Sequence, residues 1–195
     1  MRYNLSEITE LIRNRRTIYP EQFTERVVQR DMLETILTNG LWAPTHGKTQ
    51  PWRFKVYTGD GRVGLSQMML NLYKTLTPAG DFKEIKYKRI ESRIEKTSAL
   101  VLLAMKRTPD SRIPELEEIE AVSCAAQNIM LTAAAYGLGA FWSSPKFLYT
   151  EAANASFGLD REDKILGLFY FGYPSGEWPK SHRKPLEFVT EWIDG

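Results

Sequence analysis

The sequence predicts an α+β fold: about four strands in one sheet, with helices placed around a long central helix. Three observations lead there. Ala99-Leu100-Val101-Leu102-Leu103-Ala104-Met105 is a continuous apolar run of strand length, as expected of a strand buried on both faces. The stretch from Ala121 to Pro145 carries no formal charge, is rich in alanine, and holds Ser123, Gln127, Asn128 and Thr132. It reads as a buried helix that Gly137-Leu138-Gly139 breaks before a strand begins. Elsewhere helical and strand periodicities follow one another with no internal repeat and no linker. Residues 1–195 are therefore read as one domain, long enough to bury a core.

Ser6 is a good N-cap, and Ile8, Leu11 and Ile12 form a one-sided stripe, which predicts a helix over about residues 7–16 ending in Arg13, Arg15 and Arg16. Asp31 with Glu34 has the form of a capping box; Leu33, Ile36, Leu37 and Leu41 supply that helix's apolar face, and Pro44 stops it. Phe54, Val56 and Tyr57 predict a short strand closed by Thr58-Gly59-Asp60-Gly61, followed by a helix carrying Val63, Met68, Met69 and Leu72. From Lys83 to Lys96 the charges are dense, with Ile85, Ile90 and Ile94 among them, the pattern of a solvated helix with one thin apolar stripe. The central helix runs from about Glu117 to Tyr136. Ala140-Phe141-Trp142 starts a third strand, Thr150 caps a short helix ending near Phe157-Gly158, and Ile165 to Tyr173 is the fourth strand. The tail from about Pro174 to Gly195 is rich in proline and lysine and poorly suited to folding back on its own, which suits an arm laid on a partner subunit.

Composition narrows the function classes. Hydrophobic residues make up 43% and charged residues 26%, ordinary for a soluble globular protein. Lys+Arg 26 against Asp+Glu 24 leaves only +2, so no global field recruits nucleic acid or an anionic membrane. Basic residues cluster at Arg13-Arg15-Arg16, Lys83 to Lys96 and Lys180 to Lys184; a nucleic-acid binder would use Lys83 to Lys96, where no aromatic interleaves beyond Tyr87 for single strands to stack on. The single cysteine, Cys124, excludes an internal disulfide and fits a reducing, cytoplasmic compartment. With one Cys and two His, a Cys/His zinc site has too few ligands.

Four stretches carry chemistry. Ala43 to Phe54 joins a helix to a strand, where a turn would do, through two prolines, Gly47, His46, Lys48 and Gln50; loops on rigid flanks are where binding groups collect. Arg15-Arg16-Thr17 closes a helix, where the dipole accounts for one cation but two guanidiniums and a hydroxyl also make a phosphate grip. His182-Arg183-Lys184-Pro185 closes on the same phosphate if the tail returns to the first helix or to a partner's. Paired glycines at 137 and 139 allow close backbone approach before Trp142, Ser143 and Ser144. No nucleophile–base pair stands out. Gly59-Asp60-Gly61-Arg62-Val63-Gly64 matches a dinucleotide fingerprint, but Leu76 to Gly80 ahead of Asp81 is loop chemistry, not a buried second strand, so the match is read as a Gly-rich turn.

The ordered set resembles the nitroreductase family of FMN-dependent oxidoreductases. Arg15-Arg16-Thr17 resembles its opening Arg-Arg-Ser/Thr, Ala43-Pro44 through Gln50-Pro51-Trp52-Arg53-Phe54 its Gln-Pro-Trp loop, Gly137-Leu138-Gly139-Ala140-x-Trp142 its Gly-Leu-Gly segment, and Arg183-Lys184-Pro185-Leu186 its closing Arg-Lys-Pro-Leu. His46 is similar to a minimal, single-domain subgroup. The resemblance implies a three-layer fold with a mostly antiparallel sheet of four to five strands, and an interlocked homodimer with FMN at the interface. Arg15, Arg16 and Thr17 would hold the phosphate and ribityl end, joined by Arg183. Trp142, Ser143 and Ser144 would line the flavin, with a backbone N–H near Ser144 directed at N5. The loop with His46, Lys48 and Gln50 would reach the partner's flavin. Two positions depart from the family: Lys48 stands where Asn is common, and Pro145, which has no N–H, stands where Gly is common.

The implied chemistry is ping-pong. NAD(P)H gives hydride to flavin N5, and an oxidised small-molecule acceptor such as a nitroaromatic or quinone takes it, with no catalytic side chain. The alternatives are an FMN enzyme of different chemistry (reductive dehalogenation with a lid between Thr77 and Ile94, flavin fragmentation or heterocycle oxidation) and a non-catalytic flavin-binding protein.

Overall fold

The computed structural model describes residues 3–109 and 112–194. The chain runs α1 (Leu5–Asn14), α2 (Arg30–Gly40), β1 (Trp52–Thr58), α3 (Gly61–Leu76), α4 (Glu84–Glu95), β2 (Ala99–Met105), α5 (Glu115–Ala135), β3 (Gly139–Ser143), α6 (Glu151–Ser156) and β4 (Lys164–Gly172). Single 3-10 turns lie at Pro20–Gln22, His46–Lys48, Lys146–Tyr149 and Leu186–Phe188. The four strands form one antiparallel sheet in the order β1-β2-β4-β3.

The apolar run became β2 because every one of its residues is buried. Its alternation feeds two cores. Ala99, Val101, Leu103 and Met105 join the layer of α2 and α5, while Leu100 and Leu102 join the layer of α3, α4 and α6. The sheet is thus the middle of three layers. Gly40 lets α2 come close to α5: a Cβ there would sit 2.9 Å from Ile129 Cγ1. β4 carries a bulge, since Leu103 faces Gly167 but Ala104 faces Ile165, leaving Leu166 as the extra residue.

Several helix ends differ from the sequence reading. Asn4, not Ser6, caps α1, its Oδ1 accepting from the N–H groups of Ser6 at 3.1 Å and Glu7 at 3.4 Å. The Asp31–Glu34 capping box does not form; α2 starts two residues earlier, with Gln29 at the N-cap, and Glu34 instead pairs with Arg30 one turn back at 2.8 Å. It ends at Gly40, before Pro44 can act. At α1 Asn4 supplies an acceptor to the first-turn N–H groups, whereas α2 starts with no side-chain cap. Thr150 does cap α6, accepting from Ala153 N at 3.2 Å. The Gly59 to Gly64 match proves to be a strand-to-helix turn in an antiparallel sheet. Among the described residues, no helix is long and apolar enough to cross a membrane.

Candidate functional site

Three groups of sequence-predicted residues occupy the fold. The first is an arginine pole. After α1 the chain straightens, Thr17 pairs in parallel with Ala140, and Ile18 N–H donates to the Ala140 carbonyl at 3.2 Å. Arg15 to Thr17 therefore lie along the free edge of β3. The tail does return within the same protomer, contrary to its composition: the Trp178 indole N–H donates to the Asn14 carbonyl at 2.5 Å, and Ser175 N–H to the Gln22 carbonyl at 2.8 Å. These hydrogen bonds and a bridge between Phe23 and Pro174 anchor it. This return brings the charge of Arg183 within reach of Arg15. Burial, then the charges of Arg16 and Arg183, push the Arg15 pKa down. Arg16 donates from Nη1 to the carbonyls of Arg13 at 2.5 Å and Arg15 at 2.7 Å, and its Nε is buried with no partner. Arg15 and Arg16 open onto a cavity of about 720 Å³, walled by Trp178, Lys180 and Ser181 on one side and Glu7 and Glu10 on the other.

The second group sits on β3, whose side chains alternate between layers. Trp142 points into the α5 layer, its ring centroid 5.4 Å from that of Phe169 and its indole N–H donating to the Leu166 carbonyl at 3.0 Å, so the bulged residue's oxygen is satisfied. Phe141 faces the other layer, 4.9 Å from Tyr19 and 5.5 Å from Tyr170. Ser143 shares that side and opens onto a cleft of about 670 Å³ between β3, α3 and α4. Ser144 is exposed just past the strand.

This cleft exposes what sequence reasoning missed. Arg93 of α4 lies 4.9 Å over Phe141 and 5.4 Å over Tyr19, hydrogen-bonds Glu21 at 2.8 Å, and leaves only 20% of its side chain exposed. Burial alone would raise the Glu21 carboxyl, but the hydrogen bond and charge of Arg93, with the charge of Arg89, carry it net downward. Burial pushes the Tyr170 phenol up, against the charge of Arg93. Lys83, Lys86, Arg89 and Arg93 all line the cleft. Their recurrence every three or four residues was the available signal for a shared helix face.

The third group is the loop before β1. His46 to Lys48 forms one tight turn, and φ is positive at Gly47 (56°), Lys48 (56°) and Gln50 (46°). Non-glycine residues in this region carry strain, which persists only where surroundings hold it. Here the hold is visible: Thr45 and Thr49 hydroxyls lie 3.1 Å apart, Gln50 N–H donates to Thr45 Oγ1 at 3.3 Å, and His46 Nδ1 meets Glu117 Oε2 of α5 at 2.5 Å. His46, Lys48 and Gln50 are exposed. Because β1 and β3 are opposite edges of the sheet, about three strand spacings or ~14 Å separate this loop from β3. One protomer does not bring the loop and the arginine pole together.

The model of the nitroreductase family matches residues 12–173. The chain is 28% identical over 183 residues to Escherichia coli (strain K12) YdjA, to which an NAD(P)H nitroreductase activity is ascribed, covering 93% of this chain and 97% of that one. A nitroreductase-like family protein from Bacillus cereus superposes with a TM-score of 0.84 at 30% identity, over 100% of this chain and 99% of that one. The FMN-dependent nitroreductase NfnB from Mycobacterium smegmatis, solved with NADPH, gives a TM-score of 0.73 over 98% and 100% of the two chains; at 17% identity that likeness is one of fold.

Proposed function

This chain belongs to the nitroreductase family, and from that premise we propose that it is an FMN-dependent oxidoreductase passing hydride from NAD(P)H to a small oxidised acceptor such as a nitroaromatic or quinone. The observation that carries the cofactor reading is the arginine pole. Arg15 and Arg16 lie along the edge of β3 within reach of the charge of Arg183, and Arg16 Nε is buried without a partner. Among the described residues none of these three arginines forms an ion pair, Glu7 and Glu10 standing on the cavity wall without bridging to them, and a phosphate supplies three acceptor oxygens with charge to spare. The donor set fits FMN.

When bound, FMN supplies the hydride chemistry, taking and returning the pair of electrons at N5. Every other task falls to the chain. Arg15, Arg16 and Arg183 hold the phosphate, and the exposed Thr17 hydroxyl is free for the ribityl chain. Ser143 and Ser144 border the ring. Trp142 contributes shape, since its N–H is committed to Leu166. His46, Lys48 and Gln50 come from the partner protomer, and Lys48 places a cation where negative charge develops. No side chain is required to act as acid or base.

The homodimer is part of the same proposal. The loop cannot reach the arginine pole of its own protomer, and the apolar stripe of α1 is left open, with Ile8 41% and Ile12 52% exposed. Phe188, Trp192 and Ile193 of the tail are exposed as well. Apolar surface of this extent asks for cover. The Thr77 to Ile94 segment, where reductive dehalogenation would need a lid, holds a short turn and α4. We place the enzyme in the cytoplasm on its lone cysteine.

The visible spectrum of the purified protein tests the reading. A flavin spectrum bleached by NADPH and restored by nitrofurazone is the expected result. A colourless protein that takes up no FMN overturns the cofactor assignment, and a coloured one that NADPH does not bleach leaves a flavin-binding protein instead of an enzyme.

A further inference from the structure

The basic run that composition assigns to a solvated helix is gathered over the cleft beside Ser143. Lys83, Lys86, Arg89, Arg93 and Lys146 line it against the single carboxylate of Asp81. Two of these cations are already engaged: Arg93 with Glu21 and two aromatic rings, and Arg89 through its charge on the same Glu21. Lys83, Lys86 and Lys146 form no ion pair among the described residues. The floor is of the opposite character, built from Tyr73, Phe147 and Tyr170, all buried. Tyr73 also fixes where the cationic wall begins, since its hydroxyl accepts from Lys83 N–H at 3.0 Å.

An aromatic floor with an uncompensated cationic wall recognises a flat ring that carries an anionic group. The floor takes the ring by apolar burial, and the wall takes the anion by charge-assisted hydrogen bonds, which a neutral analogue forfeits. We infer that this cleft selects anionic substrates, with Lys83 and Lys86 holding a phosphate or carboxylate of the molecule that enters it. The inference rests on the flavin reading only in that Ser143, at the border of the ring, opens onto the same cleft. The anion has two possible sources. On the reductant it is the 2′-phosphate that distinguishes NADPH from NADH; on the acceptor it is the carboxylate of a nitroaromatic acid.

The test uses the holoenzyme and the Lys83→Gln/Lys86→Gln double variant, both checked for the same melting temperature. Steady-state rates are compared for NADPH against NADH with a neutral quinone, and for 4-nitrobenzoate against nitrobenzene with the better reductant. The expected result is a preference of about tenfold or more for the charged member of one pair. It collapses toward one in the double variant through KM and not kcat, and it shrinks with added NaCl. The pair that responds identifies the source. Isothermal titration calorimetry with 2′,5′-ADP against 5′-AMP, and with benzoate, reads the cleft independently of turnover: the charged probe of the responding pair binds the wild type and binds the double variant at least fivefold more weakly. Equal rates within both pairs, or a preference that survives the double variant, overturns the inference. A protein that binds no FMN but still binds the charged probe through Lys83 and Lys86 sinks the flavin reading and leaves this one standing.

Discussion

Gly167→Ala tests how β4 makes room for the site. Gly167 has φ of +143° and lies at the bulge opposite Leu103. A Cβ there would stand 2.4 Å from Trp142 Nε1, 2.6 Å from the Ser143 carbonyl oxygen and 2.8 Å from Trp142 Cδ1. One of these atoms is strand backbone and the other two belong to a tryptophan held by its bond to Leu166, so none yields cheaply. Overpacking of this kind costs about 1–3 kcal/mol, and a backbone region almost reserved for glycine costs about 1–3 kcal/mol more. The expected destabilisation is about 4 kcal/mol, a large share of the ~5–15 kcal/mol that holds a domain folded. For a chain of this size it corresponds to a melting temperature lower by roughly 8–16 °C. Urea unfolding followed by far-UV circular dichroism, at fixed protomer concentration, measures it. Gly176→Ala is the control, because nothing lies within 4 Å of its added Cβ; it should stay within about 0.5 kcal/mol. The folded fraction of Gly167→Ala should also retain FMN less well, since the same Cβ pushes on Ser143. A Gly167→Ala protein within about 0.5 kcal/mol of wild type refutes the reasoning.

Arg15→Ala and Arg183→Ala should each weaken FMN binding by about tenfold or more, each losing one charged partner of the phosphate, as fluorescence titration of the stripped protein would show. Lys48→Asn should leave the melting temperature unchanged or slightly higher, because Asn tolerates the positive φ at position 48 better than Lys. It should also lower the midpoint potential of the bound flavin; an unchanged potential in a redox titration removes Lys48 from the electrostatics. His46→Ala should weaken FMN retention with the fold intact, and Glu117→Leu should do so by a smaller factor, by freeing the imidazole that Glu117 holds at 2.5 Å. Both keep a melting temperature close to wild type, since exposed pairs of this kind contribute only ~0–1 kcal/mol. The depressed Glu21 carboxyl gives a pH prediction. Its ionised form is favoured in the folded state, so its contribution is full above the unfolded value near 4.5 and is lost as pH falls through the lower folded value. Glu21→Gln should therefore flatten the acid limb of a stability–pH curve and leave the neutral region with a constant offset; an unchanged acid limb counts against the Arg93–Glu21 pair.

What the sequence determined by itself is what local chemistry encodes. β2 was legible because seven apolar residues in a row fit only a strand covered on both faces, and α5 because a long uncharged alanine-rich run needs burial on most sides. The order of the motifs was legible too, and with it the family. The order of the strands was not, because antiparallel pairing is settled by which faces bury which, among elements far apart in the chain. For the same reason, only the tertiary structure set the loop of His46 at the edge opposite β3 and laid Trp178 on Asn14 so that the charge of Arg183 reaches Arg15. It also turned Lys83, Lys86, Arg89 and Arg93 from a charged helix face into the wall of a cleft. A charge on a helix has the same sequence whether water or a substrate lies across from it; the packing of α3, α4 and β3 decides which.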